Sequence, residues 1–503
     1  MFTPDLFMQG LQLVFDPFVL LVVICSGLYG LFIGAMPGLT ATMAVALLVP
    51  ITFYMEPVPA IASIITMSAM AIFAGDLPGT LLHIPGTPSS AAYCDDSYAI
   101  SKKGNASLVL GIDLMLSAMG GLFGSLVLMC AAPALAEVAL QFSSYEFFWL
   151  AVLGLSCAVL ISGRSVLKGL ISLLIGLLLT CVGADITLGF PRFTFGSMEL
   201  LEGFSFIPAM IGMFGLAEVF KNVSAKQTED AEMITYSTRI LKGVGGVIRK
   251  FKFQLLRSQI IGTLVGVLPG AGGDIAAWIC YGVGKRFSKH PEEYGKGSVE
   301  AIANCTTANN AAISGAFIPA LVFGIPGDSL TAIIIGVLFM KGLEPGPSLF
   351  AQHGDFLYAI YVVFLLANIL LIPLGYIVIR CATKVLRVPP AILNPVILGF
   401  CMVGAYAINN GAFDIASMLG FGVAAYFMIA HGIPVAPAVL GLVLGHMLEN
   451  TFMQSMIKSE WDPFSFFSRP IAASLGVITI FLWFMPLIVK GIKRMRGKAA
   501  PVA

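Results

Sequence analysis

"GVLPGAGGDIAAW" (Gly266–Trp278) sets a proline, a run of glycines and an aspartate inside a chain that is otherwise apolar enough to sit in lipid. Of the 503 residues, 58% are hydrophobic and 11% charged, far below the roughly 25% charged of a soluble domain. Apolar stretches recur along the whole length, so the expected fold is one all-α polytopic membrane unit with no soluble domain. About 10–12 transmembrane segments can be marked, several of them too short to cross at about 20 residues per crossing.

The question raised by Gly266–Trp278 is where its loose backbone goes. Two apolar arms flank it, Ser258–Leu268 and Ile275–Gly284, between basic Arg257 and basic Lys285. Arms of about ten residues rise no more than about 17 Å, against a hydrocarbon core of about 30 Å. With basic residues at both ends, the segment is expected to dip in and return, carrying "PGAGGD" to the midplane. Irregular backbone at that depth is tolerated where it is packed in protein or lines a watery cavity.

An earlier twin exists. "GLFIGAMPGLTATMAV" (Gly30–Val45) aligns Gly34, Pro37 and Gly38 with Gly266, Pro269 and Gly270, an offset of 232 residues. A second pair follows: "LPGTLLHIPGTPSS" (Leu77–Ser90) matches "IPALVFGIPGDSLT" (Ile318–Thr331), with Pro78, Pro85 and Gly86 answering Pro319, Pro326 and Gly327 at an offset of 241. Two motifs in the same order predict two homologous halves, as many secondary transporters have. The loop after the first copy, "YMEPVP", has no basic residue, whereas "KRFSKHPEEYGKG" after the second has four. The halves are therefore expected to be inverted-topology repeats with re-entrant or broken helices. The expected division is 1–220 for the first repeat with its following helices, 221–257 for a basic cytoplasmic connection, and 258–503 for the second repeat with its following helices.

Charge also sets orientation. No Lys or Arg precedes Lys102, while Asp5, Asp16 and Glu56 mark the early segment ends. Basic residues gather in 221–257, 285–296, 380–387 and 490–498. The positive-inside rule then puts the N-terminus in the periplasm and the C-terminus in the cytoplasm of a bacterial inner membrane. The start lacks the basic n-region of a cleaved signal, so the first apolar segment is expected to stay in the bundle. A net charge of +1 without a basic aromatic stripe argues against nucleic acid. Nine cysteines scattered without C-x-x-C pairs argue against disulfides and structural zinc. No phosphate-binding G-x-x-x-x-G-K-[ST] loop occurs, so energy comes from an ion gradient or a partner.

Several residues stand out as ligands. Asp274 reads either as the N-cap of the following helix or as a cation ligand. Gly272 and Gly273 read either as close-packing positions or as places where backbone meets substrate. In "IPGDSLT", Asp328, Ser329 and Thr331 follow Gly327, and in "IPGTPSS" Thr87, Pro88, Ser89 and Ser90 hold the same place without a carboxylate. Thr40 and Thr42 follow the first glycine motif. Hydroxyls and exposed helix N-termini suit carboxylate oxygens, and a carboxylate with carbonyls suits sodium. Asn309 and Asn310 lie side by side in an apolar helix, as ligand contacts or as interhelical glue. Asp95 and Asp96 are either a solvated helix end or, with Asp96 foremost, a site for the coupling ion. His83 reads as structural or as a proton carrier. No metal-ligand spacing occurs among the five histidines, and no catalytic set such as H-E-x-x-H marks an intramembrane enzyme.

These motifs resemble the large membrane subunit of the tripartite tricarboxylate transporters, the TctA family. The likeness rests on "GLFIGAMPG", "IPGTPSSAAYCDDSYAISKKG", "GVLPGAGGDIA", "YGKGSVEAIA", "ANNAAISGAFIPALVFGIPGDSLTA", "GLEPGP" and "VLGLVLGHMLEN", and spans nearly the whole chain. It implies a permease that works with a small four-helix membrane subunit and a periplasmic solute-binding protein, importing an organic carboxylate with sodium or protons and needing no cofactor. Cys305, Thr306 and Thr307 replace the family's proline and glutamate before the paired asparagines, so the resemblance implies a carboxylate without naming citrate. The alternative expectation is an organic-anion exporter or exchanger that works without a binding protein.

Overall fold

The computed structural model describes residues 4–36, 39–161, 165–185, 189–224, 234–237, 239–386 and 390–497. Pro37 and Gly38 of the first motif, residues 225–233 and 238 of the basic connection, Arg387 and Lys498 lie outside the described residues, and side chains beyond Phe484 are not described.

The chain is a multi-pass all-α membrane protein, with one short hairpin pairing Gly183–Ala184 and Pro191–Arg192 among the described residues. The first half runs α1 (Pro4–Val14), α2 (Pro17–Ala35), α3 (Ala41–Phe53), α4 (Pro57–Ala74), α5 (Asp76–Leu82), α6 (Cys94–Ile100), α7 (Ala106–Ala139), α8 (Ser144–Ile161) and α9 (Val166–Thr180). After the hairpin, α10 (Phe206–Met210) passes through a π segment at Ile211–Leu216 into α11 (Ala217–Ser224). The second half runs α12 (Val244–Val267), α13 (Gly272–Phe287), α14 (Val299–Phe323), α15 (Ser329–Met340), α16 (Pro347–Gln352), α17 (Gly354–Val385), α18 (Pro390–Asn409), α19 (Ala412–Ala430), α20 (Ala436–Lys458) and α21 (Pro470–Gly497). Among the described residues, six helices are long and apolar enough to cross a membrane, and six shorter apolar helices accompany them.

Local chemistry sets many of the boundaries. Asp16 caps α2 by accepting from the Phe18 and Val19 amides, ahead of a proline at the first helical position. α5 stops at His83 in the left-handed region (φ 60°), and α14 stops at Gly324 (φ 67°). The two ends are equivalent under the second offset. Their backbones bond alike, Ile84 N–H to Pro78 O and Ile325 N–H to Pro319 O.

The core is built on two fully sheathed helices, one from each half. Every residue of α4 from Pro59 to Ala74 and of α14 from Ala301 to Val322 is buried. α2 packs on α4, and its counterpart α12 packs on α14. A Cβ added to Gly30 or Gly34 would lie 2.4 or 2.3 Å from the backbone oxygens of Met67 and Ala71. Added to Gly262 or Gly266, it would lie 2.4 or 2.2 Å from those of Ala308 and Ala312. These four contacts are the same two contacts repeated, since each glycine pair obeys the first offset and each partner pair the second. Small residues four apart let two helix backbones touch, which in lipid replaces the missing hydrophobic drive.

The halves interlock rather than follow one another. α7 of the first lies along α14 of the second, and α17 of the second lies along α4 of the first. Such reciprocal pairing is what a pseudo-two-fold relation requires. The first arm of the second hairpin is the end of a 24-residue helix that begins at Val244. The backbone kinks at Phe251 (φ −107°, ψ 17°), so Arg249 and Lys250 belong to a separate first limb, and Lys252 and Arg257 follow the kink. α13, with 16 residues, rises about 24 Å and stays short of a full crossing.

Candidate functional site

The four motif loops converge on one cavity of about 840 Å³. Thr40 and Thr42 line it from the start of α3, Thr87 and Pro88 from the loop after α5, Gly272, Gly273 and Asp274 from the start of α13, and Asp328 and Ser329 from the start of α15. The far wall includes Ala158 of α8, Met213, Phe214 and Glu218 of the α10–α11 span, Ile429 of α19 and Leu440 of α20.

Each loop is held by its own side chains. Thr40 caps α3, its hydroxyl accepting from Met43 N–H at 3.2 Å. The Thr87–Ser90 turn is wired internally: Thr87 N–H donates to Ser90 Oγ at 3.1 Å, and Ser90 N–H donates to Thr87 Oγ1 at 3.1 Å. Asp328 caps α15 in a capping box, where its Oδ1 accepts from Thr331 N–H at 2.8 Å while Asp328 N–H donates to Thr331 Oγ1 at 2.9 Å.

Asp274 does not cap its helix. Ala271 holds that position without a side-chain bond, and Asp274 Oδ1 instead accepts from Ser89 N–H of the first repeat at 3.1 Å. Asn309 Nδ2 donates to Ser89 Oγ at 2.9 Å, and Trp278 Nε1 donates to Pro88 O at 3.2 Å. The first-repeat loop is thereby clamped to the second repeat at three points.

The glycines of "PGAGGD" serve close approach. Gly272 (φ 57°) lies where a Cβ would sit 2.7 Å from Asp328 Cβ, and at Gly273 a Cβ would sit 2.6 Å from Asn309 Oδ1. Gly327 packs against Ala316 behind the wall, where a Cβ would sit 2.7 Å from Ala316 Cβ.

Not every expected residue reaches the cavity. Ser89, Ser90, Asn309, Asn310 and Gly327 lie behind its lining. Asp96 is elsewhere: its Oδ1 accepts from the amides of Gly295, Gly297 and Ser298 at 2.8–2.9 Å, and its Oδ2 from Tyr281 OH at 3.1 Å. That carboxylate is saturated by donors and ties α6 to the entry of α14. Asp95 is exposed and paired with His83 Nε2 at 2.9 Å, the solvated-end arrangement. Glu218 was not singled out by the sequence; it lines the cavity while bonded to Lys221 at 2.7 Å, and its signal was an acid one turn before the basic end of a span.

The lining holds three carboxylates, Glu218, Asp274 and Asp328, and no Lys, Arg or His among the described residues. Three helices of twelve or more residues, α3, α13 and α15, begin at it. No group of three or more His, Cys, Asp or Glu suited to a metal occurs among the described residues.

This combination, a polytopic helical protein with two interlocked repeats and a polar cavity where their broken segments meet, defines a membrane transport protein. The chain belongs to the tripartite tricarboxylate transporter TctA family, whose profile matches residues 20–440. It is 37% identical over 464 residues to an uncharacterized 52.8 kDa protein in the TAR-I ttuC' 3' region of Agrobacterium vitis, covering 92% of each chain. It is 38% identical over 230 residues to an uncharacterized protein in the TAR-II ttuC' 3' region of the same organism, covering 45% of this chain and 95% of that one. No solved structure matches.

Proposed function

We propose that the chain is the cavity-forming membrane subunit of an ion-coupled carrier that imports a small organic carboxylate by alternating access. The observation that carries this reading is the composition of the cavity wall. Hydroxyls of Thr40, Thr42, Thr87 and Ser329, with the positive ends of α3, α13 and α15, offer donors to carboxylate oxygens. Asp274 and Asp328, without a basic partner among the described residues, repel the same anion unless a cation enters with it. Substrate and coupling ion, sodium or proton, are thus obliged to share the cavity, which is the condition for symport. Asp274 and Asp328 are the cation ligands in this reading. Ser89, Ser90, Asn309, Asn310, Gly272, Gly273 and Gly327 shape and brace the wall.

Family membership supports the partners: a periplasmic solute-binding protein that delivers the carboxylate, and a small four-helix membrane subunit. The distribution of basic residues supports an inner-membrane setting with the N-terminus in the periplasm. The test is uptake into proteoliposomes carrying the chain and its small subunit, with and without the binding protein, under imposed sodium or proton gradients. Accumulation that follows one gradient and needs the binding protein is expected. Uptake indifferent to both gradients would sink the coupled reading.

A further inference from the structure

Beside the cavity lies a second polar cluster that transport as described leaves unused. Asp76 opens α5 and Asp113 sits in the second turn of α7, 3% and 0% exposed. Tyr93 OH donates to Asp76 Oδ1 at 2.5 Å. Thr80, one turn along α5 from Asp76, donates to Asp113 Oδ2 at 3.4 Å, and Thr306 of α14 donates to Asp113 Oδ1 at 3.2 Å. The pair therefore sits where the first repeat meets the second.

The titratable groups acting on these two carboxylates are each other, Tyr93, Cys94 and Cys305. None of those partners carries positive charge, and no ion pair to either aspartate occurs among the described residues. Two like charges taken out of water without a counterion are costly, and one proton on either of them removes half of that charge.

A second observation points the same way. Asn310 lies one turn beyond Thr306 on the same face of α14. It is 1% exposed, and neither its Oδ1 nor its Nδ2 has a partner within the chain. A buried amide with both groups open, one turn along α14 from the Thr306 that bonds Asp113, is a place prepared for a polar ligand. Its neighbour Asn309 bonds Ser89, which bonds Asp274, so the asparagine pair follows Thr306 on α14 and is tied through Ser89 to a cavity carboxylate.

We propose that Asp76 and Asp113 form a proton-binding site outside the substrate cavity, joined to it through Asn310 and Asn309. The step is the protonation of one carboxylate oxygen by hydronium and its later release to water, with no other bond made or broken. A proton suits the geometry better than a metal cation. A hard cation gathers six or more oxygens at about 2.3–2.6 Å, whereas the two oxygens of Asp113 are drawn to different helices at 3.2–3.4 Å. The site adds to the transport reading a proton position beside the cavity, distinct from the coupling-ion ligands Asp274 and Asp328 that line it, and proton binding itself does not depend on transport.

Infrared difference spectroscopy of the full chain, purified in detergent, reads the proton directly through the carbonyl stretch of a protonated carboxyl group. The wild type is expected to show a D2O-sensitive band at neutral pH that sodium chloride leaves in place, and the double variant Asp76→Asn/Asp113→Asn to lose it. Thr306→Val, which keeps both acids, is expected to shift the band by removing a hydrogen bond, and Thr306→Ser to restore it. No band in the wild type, an undiminished band in the double variant, displacement by sodium chloride, or a band unmoved in Thr306→Val would each overturn the site. An intact, Thr306-sensitive band in a protein whose uptake ignores every gradient would uphold the site and break the transport reading alone.

Discussion

The two repeats share a backbone and divide the chemistry. In both, a pair of glycines presses one helix onto the next at equivalent carbonyls, and in both the following helix ends in a left-handed residue with the same amide bond. The loops that follow differ. The first holds Thr87, Ser89 and Ser90, neutral and bonded among themselves, whereas the second holds Asp328 in a capping box. Where α14 carries Asn309, α4 carries Ser68, whose hydroxyl has no partner. Packing constraints thus act on both copies alike, because helix crossings tolerate only small residues. Charge is not duplicated in the same way: the cavity carboxylates Asp274 and Asp328 both lie in the second repeat, where the equivalent positions of the first hold Thr42 and Thr87.

The largest effect expected from disturbing this likeness is at the glycine crossings. Gly34→Leu and Gly266→Leu each drive a side chain into a fixed carbonyl and are expected to destabilise by about 3 kcal/mol or more. Thermal unfolding in detergent checks this; a drop confined to one of the two would break the equivalence of the crossings.

Next comes the asymmetric charge. Asp328→Ala removes both a cap worth about 1 kcal/mol and a cavity carboxylate, and is expected to lower gradient-driven uptake at least about tenfold, the equivalent of about 1.4 kcal/mol. Asp328→Asn keeps the cap and should lose uptake alone. If Asp328→Asn transports with unchanged ion dependence, the aspartate is only a cap. Asn309→Ala strips Ser89 Oγ of its donor and should cost less, about 1 kcal/mol of stability, with uptake reduced severalfold rather than abolished.

The smallest effect is at the two left-handed ends. Gly324→Ala is expected to destabilise by about 1 kcal/mol, and His83→Gly to stabilise by a comparable or smaller amount. Melting temperatures moving in the same direction for both would contradict the shared conformation.

Much of this was legible in the residues. The GAMPG and GVLPG motifs, their offsets and the "IPG" pair foretold the repeats, since glycine and proline in an apolar segment have few physical uses. Most of the polar side chains of the cavity lining, Thr40, Thr42, Thr87, Asp274 and Asp328, followed from oxygen-bearing residues beside broken helices. Asp96 did not follow: nothing local says that the amides of Gly295, Gly297 and Ser298, some two hundred residues on, will close over it. Asp113, set in "GIDLMLSAMGG", was a signal passed over, an ionisable group in an apolar run.

Composition and periodicity by themselves fixed a helical membrane protein made of two related halves, because lipid leaves the backbone few other choices. Tertiary structure alone decided which carboxylates share a wall. α7 had to cross onto α14 before Thr306 could meet Asp113, and the first-repeat loop had to reach α13 before Ser89 could take Asp274 from its own helix end. Those are contacts between residues far apart in the chain, set by the interlocking of the two halves, and no local pattern encodes them.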